Sequence, residues 1–242
     1  MNTYEGLQDP SQPVFQVSNA KTIKGESLGY LTLIRYLAPS DVSGVDVCPK
    51  AGACKSTCLY TAGRGRFGSV QEARVKKTLA ARLDRRTHLA QAFAEVEQAM
   101  VLAKSRGFKL AVRMNGTSDL PADARLLKMA FPKGVRVYDY TKIERAAWAN
   151  DGVHRTLSYD PETVNETTCR KALAAGVNIA VVFAVKRNDA LPSHHFGARV
   201  IDGDLHDLRF LDPRGVVVGL RAKGEAKADT SGFVVRSFGG CL

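Results

Sequence analysis

His154-Arg-Thr-Leu-Ser158, the run 161–175 closed by Gly176, and Asn178-Ile-Ala-Val-Val-Phe-Ala-Val185 decide the fold class. The first is a short β-compatible run, the second reads as a helix, and the third is the most apolar strand of the chain. Gly176 stands where a left-handed backbone ends a helix. Strand, helix and strand in close succession imply a parallel pair joined by a right-handed crossover. The same rhythm holds upstream. Residues 109–114 are strand-like, 122–130 helix-like and 135–138 strand-like, and a short helix follows through Trp148. Tyr30-Leu-Thr-Leu-Ile-Arg-Tyr36 reads as the first strand. Ser69 with Glu72 three residues later has the form of a capping box, which predicts a helix start there. Leu89, Phe93, Val96 and Met100 then share one helical face, and the helix is expected to end near Gly107.

After Phe183 the rhythm changes. Residues 199–201, 216–220 and 233–236 are strand-like, but their joins are short and polar and contain Gly203, Pro213 and Gly224. The expected fold is therefore α/β: a partial or irregular βα barrel of TIM type, with complete early βα units and last strands joined by short loops. A doubly wound open sheet is the alternative that periodicity leaves open. Residues 1–27, polar and bearing Pro and Gly, read as an N-terminal arm or cap on one α/β domain spanning 28–242.

Of the 242 residues, 45% are hydrophobic and 24% charged, enough for a full core without disulfide staples. No apolar run reaches the length of a membrane span, and the polar N-terminus carries no secretory pattern, so a cytoplasmic location is expected. The net charge of +11 and a pI near 9.6 suit a polyanionic partner, nucleic acid or nucleotide first. Arg64 and Arg66 precede the long helix and Lys76 and Lys77 lie on it. These four are the expected phosphate contacts.

Three of the five cysteines crowd into Cys48-Pro-Lys-Ala-Gly-Ala-Cys54-Lys-Ser-Thr-Cys58. Reduced thiols gathered in one loop favour a metal site over a disulfide framework. Thiolates suit iron–sulfur clusters and zinc, and Gly52 lets the backbone turn inward. Three cysteines leave one coordination position for a substrate, a cofactor or a distant ligand such as Cys241, Cys169 or a histidine.

A three-cysteine loop directly after the first strand of a βα barrel resembles the radical S-adenosylmethionine superfamily, and Cys58-Leu-Tyr-Thr-Ala-Gly-Arg64 looks like the run that follows its cluster. The spacing here is C-x5-C-x3-C, whereas that superfamily usually has C-x3-C-x2-C. The resemblance implies a 4Fe–4S cluster on Cys48, Cys54 and Cys58 with S-adenosylmethionine on the open iron. A glycine-rich turn at the end of the second strand would grip that cofactor, here Asn115, Gly116, Thr117 and Ser118. More of the chain resembles the phage and plasmid domain family called gene product 88. Asn19-Ala-Lys-Thr-Ile-Lys-Gly25, the cysteine loop, Arg113-Met-Asn-Gly-Thr-Ser-Asp119 and Tyr138-Asp-Tyr-Thr-Lys142 carry the likeness. Val200-Ile-Asp-Gly-Asp204, Asp207-Leu-Arg-Phe-Leu-Asp-Pro213 and Val218-Gly-Leu-Arg-Ala-Lys-Gly224 extend it. It implies a protein of a mobile element and supplies no reaction.

Polar groups at strand ends are the remaining candidates, because loops at that edge carry the chemistry of βα folds. Asp119 reads as a helix cap or a catalytic carboxylate, and Asp139 and Lys142 as contacts to a base and a phosphate. Asp202 and Asp204 follow an apolar run and read as an acid–base pair or a ribose clamp, with Asp207, Asp212 and His206 nearby as a conceivable second metal set. Ser158-Tyr-Asp160-Pro161 reads as a plain helix boundary. His194-His195 is a loop pair with no defined partner.

Three functions follow. The first is a cluster-dependent enzyme acting on nucleic acid or nucleotide. The second is a zinc-containing barrel that exchanges or modifies a base, with Asp119 or Asp202 attacking the sugar. The third is a nucleic-acid-binding protein with a structural metal.

Overall fold

A computed structural model describes residues 13–17 and 20–236, so Cys241 and Asn19 lie outside the described residues. The described residues form ten strands: β1 (Phe15–Gln16), β2 (Tyr30–Arg35), β3 (Lys109–Arg113), β4 (Val135–Thr141), β5 (His154–Ser158), β6 (Ile179–Phe183), β7 (His194–His195), β8 (Ala198–Asp202), β9 (Val217–Arg221) and β10 (Val234–Val235). The helices are α1 (Ala20–Glu26), α2 (Gly68–Leu83), α3 (Arg85–Ser105), α4 (Pro121–Ala130), α5 (Glu144–Ala147) and α6 (Glu166–Ala174). The sheet runs β1-β2-β3-β4-β5-β6-β9-β8-β7, with β10 alongside β6. Neighbours from β2 through to β8 are parallel, and β1 and β7 add antiparallel edges. With β10 parallel to β6, one edge of the sheet collects the C-terminal ends of eight parallel strands among the described residues.

Burial explains the strand sequences. All six residues of β2 are buried, the near-continuous pattern of a strand covered on both faces. On one face, Leu31, Leu33, Leu110, Val112, Val135 and Val137 pack against Leu89, Ala92 and Val96 of α3 and Ala124 and Leu127 of α4. Leu157, Ile179, Val181 and Phe183 meet Cys169, Ala172 and Leu173 of α6. The opposite face of β2, β3 and β4 presents Tyr30, Ala111 and Tyr138 to Leu208 and Phe210, with Phe210 edge-on to both tyrosine rings.

Three sequence expectations are corrected. The long helix is two helices, broken at Asp84, whose side chain accepts from Thr87 N at 3.1 Å and caps α3. The Ser69–Glu72 box does not form, because α2 starts one residue earlier with Phe67 at the cap position and no side-chain cap. Pro161 opens a turn rather than a helix. Asp160 folds that turn back, accepting from Glu162 N, and α6 begins at Glu166 under an Asn165 cap.

The arm also has structure of its own. Glu95 of α3 accepts from Val14 N at 2.8 Å and Phe15 N at 3.0 Å, pinning β1 beside β2. Among the described residues no helix is long and apolar enough to cross a membrane.

Candidate functional site

The segment after β2 crosses the C-terminal edge of the sheet and carries the cysteines. It is fastened at several points before Cys48 is reached. Ala38 N donates to Thr78 Oγ1 on α2 (2.8 Å), and Asp119 N donates to Val47 O (2.8 Å). Cys48 N donates to Asp46 Oδ1 (2.8 Å). A 3-10 turn, Gly52–Lys55, then brings the backbone against Asp160 at the end of β5. Gly52 has φ +53°, and a Cβ there would lie 2.5 Å from Asp160 Oδ1, so only glycine fits the approach.

Asp160 is fully buried. Its Oδ2 accepts from Cys54 N at 3.1 Å and from Lys142 Nζ at 2.5 Å. Lys142, at the end of β4, also donates to Ala51 O at 2.8 Å. The lysine thus ties the cysteine turn to two strand ends. Asp119 completes the floor, accepting from Thr141 Oγ1 and Lys142 N at 2.8 Å each. Burial raises the Asp119 carboxyl above its ordinary range.

The three thiols share this space. Burial pushes Cys48 up to about 12, and the neighbouring Cys58 and Cys54 push it the same way. Burial pushes Cys58 up to about 11, with Cys54 adding to it. Cys54 is raised chiefly by burial, while Lys142, which hydrogen-bonds its sulfur, opposes the rise. Burial outweighs the charges that Lys142 and Arg74 offer Cys54 and Cys58, so ionisation of the three thiols needs a stronger positive partner. A thiolate-binding metal supplies that partner and displaces the protons. The donor set fits a metal or cluster in its chemistry. In arrangement it is not preassembled, since no group of three or more His, Cys, Asp or Glu side chains among the described residues is placed to hold an ion.

Arg74 of α2 is the residue that sequence reading missed. Its guanidinium lies over the Tyr36 ring at 5.0 Å and the Tyr60 ring at 5.8 Å. Its Nη1 is buried without a hydrogen-bond partner among the described residues. Burial lowers its pKa, and Cys58 and the two tyrosines oppose that shift. A desolvated cation with no carboxylate beside it is costly, and an anion at the cysteine turn would relieve it. Its helical position carries no motif, so only the coordinates reveal it.

Other candidates are sorted by their partners. Asn115 uses its whole side chain internally: Nδ2 donates to Asp139 Oδ2 and Leu120 O, and Oδ1 accepts from Ser118 Oγ and Leu120 N. Asp139 also accepts from Asn115 N at 2.8 Å. Asn115, Ser118 and Asp139 therefore shape the strand-end turn through side-chain bonds among themselves and to its backbone. Gly116 fits only because a Cβ would strike Tyr36 and Arg35 O within 2.8 Å. Thr117 Oγ1 donates to Leu37 O at 2.5 Å, while its carbonyl meets Cys48 Sγ at 3.7 Å. Asp119 does not cap α4, whose cap position is Leu120.

The acidic group after β8 divides into separate ion pairs. Asp202 and Asp204 share Arg221 Nη1 (2.9 and 3.3 Å), and Asp204 adds Lys223 at 2.6 Å. They stand at β8, three strands along the sheet order from β5. Asp207 pairs with Arg113, and Asp212 with Arg209. This corrects the reading of a single acidic metal set. Cys169 lies on the buried face of α6 with Sγ against Val164 O, not at the cysteine turn.

Arg64, Arg66 and Lys76 are exposed, and Lys76 lines an open groove of about 430 Å³ with Tyr60, Gln71 and Val75. Lys77 is not part of that surface. Its Nζ donates to Val14 O at 2.8 Å, and burial lowers it to about 8.

A family model described as Gene product 88 matches residues 13–237. No curated protein and no solved structure matches the chain.

Proposed function

The chain belongs to the gene product 88 family, and from its cysteine turn and basic charge we propose a metalloprotein that holds an iron–sulfur cluster on Cys48, Cys54 and Cys58 and acts on nucleic acid or a nucleotide. The observation that carries this reading is the presence of three half-buried thiols on one short turn at the C-terminal edge of a parallel sheet, near Lys142, Arg74 and Asp119. Ligands of open parallel sheets bind outside that edge. The place of the loop after the first parallel strand favours S-adenosylmethionine as the partner of the open iron, in a partial barrel. A bound cluster of this kind supplies one-electron chemistry to such a cofactor.

The chain's own residues have separable tasks. Lys142 places positive charge at Cys54 and would favour its thiolate. Arg74 offers Nη1 to an anionic group, a thiolate or a substrate oxyanion. Asp160 and Thr117 hold the turn, and Asp119 fixes the backbone of Lys142. Anaerobic reconstitution with iron and sulfide tests the reading by elemental analysis and optical spectrum. About four irons per chain with broad visible absorption is the expected result. One tightly held zinc would transfer the site to the zinc reading, and a folded chain retaining no metal would end both.

Lys76 lines the groove with Tyr60 and Glu72, Arg64 and Arg66 are exposed on the segment leading into α2, and we assign phosphate contacts to these three cations. Reversing all three to glutamate is expected to weaken binding of a labelled single-stranded oligonucleotide. It should also reduce the slope of log affinity against log salt by about 2, since single strands release roughly 0.7 counterion per contact. An unchanged slope would show that the strand lies elsewhere.

A further inference from the structure

We propose that a second pocket, between the β7–β8 hairpin and the segment 229–236, binds a nucleobase beside the cysteine turn. The proposal deepens the nucleotide reading above and rests on it for its biological sense, but its observations are separate.

The hairpin turns on Phe196 and Gly197, with φ of +53° and +81°. A two-residue hairpin turn with both centres left-handed favours Asn-Gly or Gly-Gly, and a bulky aromatic there is strained. The strain holds a ring in a defined place. Phe196 lies 4.0 Å from the His195 ring and 5.3 Å from Tyr159, both tilted, and Phe183 meets His195 edge-on at 5.2 Å. Tyr159, His195 and Phe196 line a pocket of about 330 Å³ together with Glu166, Thr230 and Arg236. That volume is at the small end for ligand sites, enough for a base or nucleoside.

The lining selects the ligand class. A simple anion has no use for three rings, and an aliphatic ligand has no use for a rim of Glu166, Asp229, Thr230 and Arg236, in which Glu166 also pairs with Arg170 and Arg236 also donates to Asp229 O and Lys227 O. A planar heterocycle with donors and acceptors on its edge uses both. His195 Nε2 is buried without a hydrogen-bond partner among the described residues. Burial lowers the pKa of that ring, which keeps it neutral, with one donor and one acceptor nitrogen.

The pocket adjoins the cysteine site through two bonded neighbours. Tyr159 precedes Asp160, which holds Cys54 N. Phe233, between pocket residues, lies 5.0 Å from Lys142 Nζ.

The test uses the full chain without metal, titrated with 2-aminopurine riboside, whose fluorescence is quenched by stacking. Quenching that saturates, with competition by adenosine or guanosine and none by ribose, is the expected result. Phe196→Asn places a residue suited to the left-handed turn and removes the ring. It should fold, as judged by circular dichroism, and bind at least tenfold more weakly. Glu166→Gln should alter the ranking of competing bases. No quenching at millimolar riboside, equal competition by ribose, or undiminished binding in Phe196→Asn would overturn the proposal. Because no metal is present, base binding without iron loading would fail only the cysteine reading, and iron loading without base binding would fail only this pocket.

Discussion

Asp160→Ala is expected to destabilise the protein by about 3–5 kcal/mol, the cost of stranding one member of a buried ion pair. For a chain of this size that lowers Tm by roughly 6–20 °C. The carboxylate is fully buried, and Lys142 beside it is nearly so. Its removal leaves the ammonium with Ala51 O and the Cys54 sulfur but without its counter-charge, and leaves Cys54 N and Glu162 N without the acceptor they share. Asp160→Asn keeps an acceptor for one amide but not the charge, so its loss should fall between wild type and Asp160→Ala.

Thermal unfolding measures the stability. The rate of thiol modification by an aromatic disulfide reports the local consequence, because the turn that buries Cys54 is fastened at Asp160. Cysteines that react no faster, in a protein whose Tm moves by less than about 2 °C, would show that the turn is held by something else.

The fold was largely legible because its signals are local. β5 occupies the span its sequence predicts, and β3, α4 and β6 deviate only at their ends. Gly176 takes the left-handed conformation expected just past α6. Period and punctuation decide such elements without knowledge of neighbours. The misreadings are non-local. Nothing near Asp84 competes with the apolar stripe of the long helix, yet its side chain caps a new helix there. The arm gained β1 only because Glu95, some eighty residues away, offers acceptors to Val14 and Phe15.

The site shows the same division. Spacing alone identified the cysteine turn, and Lys142 and Asp119 were visible as polar groups at strand ends. Asp160 looked like a plain boundary before Pro161, because its partners Cys54 and Lys142 come from other strand ends. Lys77 and the acids after β8 misled for the converse reason. A charge in the sequence has no visible counter-charge until the chain has folded, and Arg221 lies well downstream of Asp202.

Asp207→Ala should be of similar size, about 3–5 kcal/mol, for the same physical reason in a different place. Asp207 accepts from Arg113 Nη1 at 3.0 and 3.2 Å and from Tyr138 OH at 3.1 Å, all within the buried layer under the 203–212 loop. Burial works against the Arg113 charge, and Asp207 together with Tyr140, Tyr138 and Tyr36 outweighs it. The same guanidinium donates to Asn115 O and lies 4.4 Å from the Tyr140 ring centre. Its placement therefore supports the turn whose Thr117 carbonyl meets Cys48 Sγ. Chemical denaturation of Asp207→Leu, Arg113→Met and the double variant carrying both, beside Asp207→Ala, separates two explanations. If the cost is an uncompensated buried charge, the double variant recovers at least half of the single loss, since replacing both members of a buried pair by apolar side chains is often nearly neutral. If the two single losses instead add, Asp207 acts by ordering the 203–212 loop, and the ion pair is not what supports the strand-end turn. A loss below about 1 kcal/mol in Asp207→Ala would remove the buried layer from the account altogether, because mutation of a surface group costs no more than that.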